Sequence, residues 1–519
     1  MNWITLLRHG CACGLTAIIM AFVPASAWSA ASGDIEKTIR IQDSITLEET
    51  QLNYTVTAGK LLIRTATGEP SAELSYVAYT LAGTDPAQRP VTFFWDGGPG
   101  GATFAENFLG FGPKRYFSSR QSHAGPPYPT HENPYTLLGH SDLVFIDPVG
   151  TGFSRALGNF SDKDFWGVES DSDAMSAAII RYLRLNQRWQ SPKFLLGSSY
   201  GTTRASIVSH KLQSYGVALN GVILVGSALN FGMQDNGMDQ QFLLTLPTLA
   251  AIAWHHGKTA HQERPLPDFL REVEEFVRTE YAAALFLGNR LPQGQKLAMA
   301  ERLASYIGLD AQYIHDAHLK VSAVRFRKEL LRDKGLVLGR MDGRKLMADF
   351  DTVGEEPEND YWLYEKLLMP ARSIVEEFFG RELGQDLTQP YELASEQAIM
   401  EWDWDHELPN IAGISRREIA ERNLFPQNTW VAALLATAMR ANSGMHVFQA
   451  HGYFDLATPY AWGDYDLAHM THDPQLMRRI TTAYYDTGHV IFFDEAVIPH
   501  MLRDLRKFYG TALASRPEP

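Results

Sequence analysis

Cysteine is nearly absent. The 519-residue chain has two, Cys11 and Cys13, both close to its start. Without that segment no thiol remains. Disulfides, thiolate metal sites and a cysteine nucleophile are then excluded. A basic excess is also missing. Lys and Arg number 46 against 60 Asp and Glu, a net charge of −14, which argues against non-specific nucleic-acid binding. Beyond the first 33 residues no apolar run is long enough to span a membrane. No internal repeat or low-complexity linker is present. No His, Asp or Glu cluster has a metal-ligand spacing, and no cofactor is implied. His255-His256 reads as a helix terminus. Trp402-Asp-Trp-Asp-His-Glu407 reads as an aromatic-rich segment in which Trp402 and Trp404 are expected to pack rather than line a substrate cleft.

The first 27 residues read as a signal peptide. Arg8 supplies a positive start, and Leu15 to Val23 is apolar. No charge falls between Gly10 and Gly33. Ala25-Ser26-Ala27 offers a small-x-small cleavage site, with Ser29-Ala30-Ala31 as a second candidate. The apolar run is shorter than the ~20 residues of a spanning helix. The chain is therefore expected to be exported. Export without disulfides suggests a bacterial periplasm or exterior. The remaining length exceeds what one small core needs, so a large α/β domain with a second unit is expected.

The stretch that organises the chain is Lys193-Phe-Leu-Leu-Gly-Ser-Ser-Tyr-Gly201. Phe194 to Leu196 form a short apolar run, suited to a strand buried on both faces. Ala205, Ile207, Val208 and Leu212 supply the apolar side of a following helix. Between them Gly197-Ser-Ser-Tyr-Gly201 matches Gly-x-Ser-x-Gly, which puts Ser199 on a sharp strand-to-helix turn. A side chain at either flanking glycine would collide with a neighbouring element. Upstream, Val91 to Trp95 is a buried strand running into the Gly-rich Asp96-Gly-Gly-Pro-Gly-Gly101. No Gly-Lys-Ser/Thr follows, so a phosphate loop is disfavoured. A second chain segment donating N–H groups to an oxyanion fits better. Ser141 to Asp147 is a further strand, Glu169 to Asn186 a helix, and Val222 to Val225 another strand.

This alternation implies a mostly parallel sheet covered on both faces. It stops at about Phe231. From there to Phe425 the chain reads mainly helical, with Asp268 expected to cap a helix carrying Phe269, Val273 and Phe276. The organisation expected is a core over 28–230 and 426–519, with a helical cap inserted over 231–425. Strands return at Met445–Ala450 and Arg478–Tyr485, and a closing helix at Glu495–Tyr509. A serine nucleophile on such a turn takes an acid and then a His, each past a strand end, in chain order. Asp455 and His489 hold those places. His451 and His446 are rival bases, and Asp486 a rival acid.

Several segments together resemble the serine carboxypeptidase family of α/β-hydrolases. Trp95-Asp-Gly-Gly-Pro-Gly100 is similar to its Asn-Gly-Gly-Pro-Gly loop, and Asp147-Pro-Val-Gly-Thr-Gly-Phe-Ser154 resembles its strand-end motif. Gly197-Ser-Ser-Tyr-Gly201 resembles Gly-Glu-Ser-Tyr-Gly. Gly452-Tyr-Phe-Asp455 and Gly488-His489 resemble its acid and base segments. The resemblance implies Ser199 as nucleophile, Asp455 as acid, His489 as base, and an oxyanion hole from the N–H groups of Gly98 and Tyr200. It also places Asp96, Gly97 and Ser198 on the substrate. The family grips the substrate's C-terminal carboxylate with the loop Asn and the Glu before the nucleophile. Here those are Asp96 and Ser198. A further family Glu is missing from Gly110-Phe-Gly-Pro113, and so are the family's disulfides. The expectation is a carboxypeptidase acting on peptides. An esterase, amidase or acyltransferase with the same triad is the alternative. A catalytically silent binding protein is the third reading, disfavoured because every catalytic position is filled.

Overall fold

The computed structural model describes residues 36, 38–120, 125–234, 238–357, 360–385, 387–406 and 429–514. The expected signal peptide, with Cys11 and Cys13, and the end of the expected cap, 407–425, lie outside the described residues.

Three long strands come first: β1 (Thr38–Leu47), β2 (Thr50–Arg64) and β3 (Pro70–Leu81). They pair antiparallel in sequence order. Then follow β4 (Val91–Trp95), a small pair β5 (Lys114–Tyr116) and β6 (Thr130–Glu132), β7 (Asp142–Ile146), β8 (Arg155–Ala156), helix α1 (Val168–Leu185), β9 (Lys193–Ser198), helix α2 (Tyr200–Ser214) and β10 (Gly221–Val225). A second small pair, β11 (Leu336–Leu338) and β12 (Leu346–Ala348), lies among helices before β13 (His446–Gly452) and β14 (Ile480–Tyr485). The main sheet runs β1-β2-β3-β7-β4-β9-β10-β13-β14. From β7 to β14 every pairing is parallel. This mostly parallel sheet, with its serine turn after β9, is an α/β-hydrolase architecture.

Alternation along the buried strands explains why both faces are covered. Phe93, Trp95, Leu195, Val222 and Leu224 pack with α1 and α2 on one side. Phe94, Phe194, Leu196, Ile223 and Val225 pack with the closing helix Ile498–Ala514 on the other. Side chains of period two and strands of five or six residues leave no polar face. Between β10 and β13 the helices Gln240–His255, Leu266–Phe276 and Gln293–Ile307 build a core of their own around Ile252, Phe269 and Leu303. Phe454 and Leu456, which flank Asp455, belong to that core.

Several local expectations differ from the structure. The helix expected to begin at Asp268 begins at Leu266, with Pro265 as its cap residue and Asp268 inside the first turn. Pro267 is tolerated there because the first-turn N–H groups have no intrahelical acceptor. The helix runs through a wider turn at Val277–Tyr281 to Leu287. The closing helix begins at Ile498, not Glu495. None of the helices among the described residues is long and apolar enough to cross a membrane.

Candidate active site

The turns after β4, β9, β10, β13 and β14 lie side by side, because those strands are successive neighbours in one parallel sheet. Ligand sites in such sheets sit at the carboxyl ends. Trp95 is in register with Gly197, Ser198 with Val225, Val225 with Ala450, and Gly452 with Tyr485. The residues just beyond are Asp96, Ser199, Gly226, Asp455 and His489.

Ser199 has φ 56° and ψ −127°, a conformation costly for any residue with a Cβ. Its N–H donates to Val225 O at 2.8 Å. The glycines around it are explained by close approach. A Cβ at Gly197 would lie 2.0 Å from Gly201 O, and one at Gly201 would lie 2.8 Å from Asp96 O. Trp95 Nε1 ties the same Gly201 O at 2.8 Å. Gly97 comes so near the turn that a Cβ there would be 2.7 Å from Tyr200 N. Gly98 is exposed with φ +103°. The Gly-rich loop and the first N–H of α2 therefore lie together at Ser199.

His489 Nδ1 and Asp455 Oδ2 are 2.7 Å apart. Asp455 is buried, and its other oxygen accepts from the N–H groups of Ala457 at 2.7 Å and Thr458 at 2.9 Å. The Thr458 hydroxyl donates to Asp455 Oδ2 at 2.7 Å. The His489 ring packs on Gly226, where a Cβ would be 3.1 Å from Cε1 and Nδ1. Ser199 and His489 thus contact the same end of β10. The rivals are not placed to serve. His446 opens β13 at the opposite end of the sheet. His451 is fully buried with neither ring nitrogen bonded, and burial pushes its pKa down to about 4. Asp486 is exposed.

Beneath the Gly-rich loop lies a carboxyl cluster that sequence reasoning found only in part. Asp96 Oδ1 accepts from Gly97 N–H at 2.7 Å. Enclosure raises its pKa, against the opposing pull of that bond, His489 and Arg204. Arg204 of α2 donates to Asp96 O at 2.7 Å and to Asp171 of α1 at 2.6 Å. Glu106, on the turn Glu106–Phe111, was not singled out by any motif. It is fully buried with both carboxyl oxygens unbonded. Burial pushes it well up and Asp96 pushes it further, while the Ser198 hydroxyl works against both. Ser198 Oγ is buried near the Glu106 carboxyl, although the two do not meet at ordinary hydrogen-bond geometry. The Asp147 carboxyl, by contrast, is satisfied by Thr103, Ser75 and Tyr391. Trp402 and Trp404, expected to pack, do so against Tyr200, with ring centroids 5.2 and 5.9 Å away. His255 closes its helix, and His256 Nε2 lies 2.8 Å from Gly343 O.

Residues 51–264 match the family described as serine carboxypeptidase. Among curated proteins, the chain is 25% identical over 176 residues to "Serine carboxypeptidase-like 37" of Arabidopsis thaliana, covering 32% of this chain and 34% of that one. It is 24% identical over 153 residues to "Carboxypeptidase Y homolog A" of Sclerotinia sclerotiorum, covering 29% and 26%. Over residues 51–264 this chain is similar to the serine carboxypeptidase family. The matches span a quarter to a third of the length of those carboxypeptidase relatives. The family match includes the Gly-rich loop and Ser199 and ends before Asp455 and His489. A solved structure titled proline iminopeptidase, from Mycobacterium smegmatis, aligns with a TM-score of 0.35 and 12% identity over 92% of this chain and 100% of that one.

Proposed function

We propose that the protein is a serine-type carboxypeptidase that releases C-terminal residues from peptides through an acyl-enzyme. The observation that carries this is the His489–Asp455 hydrogen bond beside the strained Ser199, on neighbouring turns of one sheet edge. Ser199 Oγ attacks the scissile carbonyl and passes its proton to His489 Nε2. Asp455 holds the Nδ1–H tautomer and balances the imidazolium. The N–H groups of Gly98 and Tyr200 receive the oxyanion. As the intermediate collapses, the C–N bond breaks and His489 gives its proton to the leaving amine. Water then attacks the ester with His489 as base, and Ser199 is restored.

The leaving residue carries the free carboxylate. Asp96, Gly97 and Ser198 face it in this reading, and Glu106 adds a second carboxyl. A carboxyl that keeps its proton can donate to a carboxylate, and burial makes both Asp96 and Glu106 hold protons longer than usual. One observation favours a second reading, an esterase, amidase or acyltransferase. Asp96 stands where the family has a neutral Asn, and once ionised it repels a free carboxylate. The protein is further proposed to work after export, in a periplasm or outside the cell, once residues 1–27 are removed.

The test is mass spectrometry of an N-blocked peptide with a free C-terminus beside its amidated twin, from acid to neutral pH. Stepwise loss from the free acid alone supports the carboxypeptidase. Cleavage of only the amidated peptide overturns it in favour of the second reading.

A further inference from the structure

One short loop of the inserted segment, between β11 and β12, holds the turns of both Asp455 and His489. Leu456 N–H donates to Arg340 O at 3.1 Å and Gly343 N–H to Phe454 O at 2.9 Å, which ties the loop to the acid turn. His489 N–H donates to Met341 O at 2.6 Å, which ties it to the base. Gly488 admits no side chain, because a Cβ there would lie 2.2 Å from Met341 O. Two charged residues brace the loop. The Asp360 carboxylate accepts from Arg340 N–H and Met341 N–H, at 2.8 and 2.9 Å, and from Arg327 Nη2 at 3.1 Å. The Arg344 guanidinium bonds Asp342 within the loop at 2.6 Å, then reaches across to Asp494 at 2.8 Å, Asp486 O at 2.6 Å and Thr487 Oγ1 at 3.2 Å. Its plane lies over Phe454, 5.3 Å from the ring centroid. Met341, Asp342 and Arg344 also line a cleft of about 310 Å³ that reaches His489 and Trp362.

We propose that Arg344 and Asp360 are positioning residues: through the loop they brace, they set the alignment of His489 with Asp455. The inserted segment is then part of the catalytic apparatus. Fixed bonds to backbone on both turns leave the imidazole little freedom, and small misplacement of a catalytic group costs much rate. This inference rests on the triad reading above.

The experiment compares Arg344→Ala, Arg344→Lys and Asp360→Asn with wild type and Ser199→Ala, using the N-blocked peptide. The readouts are kcat, KM, folded fraction and response to added guanidinium ion. Arg344→Ala is expected to lose about tenfold to a hundredfold in kcat with KM nearly unchanged and the fold intact. Guanidinium at about 20 mM, well below denaturing concentrations, is expected to restore several-fold of its rate and to leave wild type unaffected. Arg344→Lys and Asp360→Asn should fall between, and they carry the kcat and KM comparison if the alanine variant does not fold. Unchanged kcat overturns the proposal. So does a loss that merely follows the folded fraction without rescue, or a change confined to KM, which would make Arg344 a substrate contact. If Ser199→Ala keeps its turnover, the triad reading has failed, whatever Arg344 does.

Discussion

Ser199 offers a direct test of whether the turn is strained for a purpose. Its φ of 56° with ψ of −127° is a region where a Cβ is crowded. Holding a non-glycine residue there costs about 1–3 kcal/mol. Ser199→Ala removes the hydroxyl and keeps the Cβ, so the strain stays. Ser199→Gly removes both. Glycine returns about 0.4–1 kcal/mol of this through its greater freedom in the unfolded chain. The glycine variant is therefore expected to be more stable than the alanine variant by about 1–2 kcal/mol. Comparing the two variants, not each with wild type, cancels the lost hydroxyl. Urea unfolding followed by tryptophan fluorescence reads the difference. Both variants should fail to react with a fluorophosphonate probe. A glycine variant equal to or less stable than the alanine one would refute the claim that the turn stores strain.

Ser199→Ala should lower kcat by several orders of magnitude, up to about 10⁶, and a loss below about tenfold would remove Ser199 as the nucleophile. Asp455→Asn keeps the shape but frees the imidazole tautomer, with an expected loss of about 10⁴ in kcat; steady-state kinetics on the same peptide checks it. Asp96→Asn should raise turnover of free-acid peptides near neutral pH, read as the ratio of free-acid to amidated turnover. Glu106 predicts a pH dependence of stability. Its carboxyl holds a proton more tightly folded than unfolded, so the folded state binds more protons once pH passes the unfolded value of about 4.3. Stability then falls as pH rises from there through the raised folded value. Glu106→Gln should flatten that fall and leave the protein more stable at neutral pH. Identical slopes for the two proteins in urea titrations across pH would refute the assignment.

Most of the sheet was legible because strands buried on both faces announce themselves as short apolar runs. Val91–Trp95 coincides with β4, and Phe194–Leu196 falls within β9. The neighbourhood of Ser199, Asp455 and His489 was legible through the order of strand ends, because a parallel sheet gathers its carboxyl ends on one edge. Glu106 was not. It lies on a helical turn without a motif, and only packing shows that its carboxyl ends up near Asp96 and Ser198. The β11–β12 loop was hidden for a related reason. Its strands have three residues each, too short for periodicity to register. Its hold on His489 is made by backbone groups, which no side-chain pattern encodes. Asp268 shows the opposite failure, a good capping residue placed two positions inside a helix that Pro265 already begins.

The departures from the family pattern fall on one side of Ser199, and the physics of the two sides explains why. The proposed reacting side is built from backbone: a strained serine, glycines at which any Cβ would fall within 2–3 Å of a neighbour, and N–H groups at a helix start. A backbone constellation cannot be moved without moving the strands. The proposed carboxylate grip is built from side-chain ends, and a carboxyl can reach one point from several positions. The family pattern has two Glu and one Asn there. This chain has Ser198 and no Glu at Gly110-Phe-Gly-Pro113, yet it has Asp96 and, a turn before Gly110, the buried Glu106. The number of carboxyls is the same, but both now lie on the Gly-rich loop and the turn that follows it, where they influence each other directly. Two neighbouring carboxyls, one fully buried and one half-buried, resist ionising together. A grip that depends on a retained proton therefore needs no carboxyl before the nucleophile, provided that Glu106 keeps its place beside Asp96.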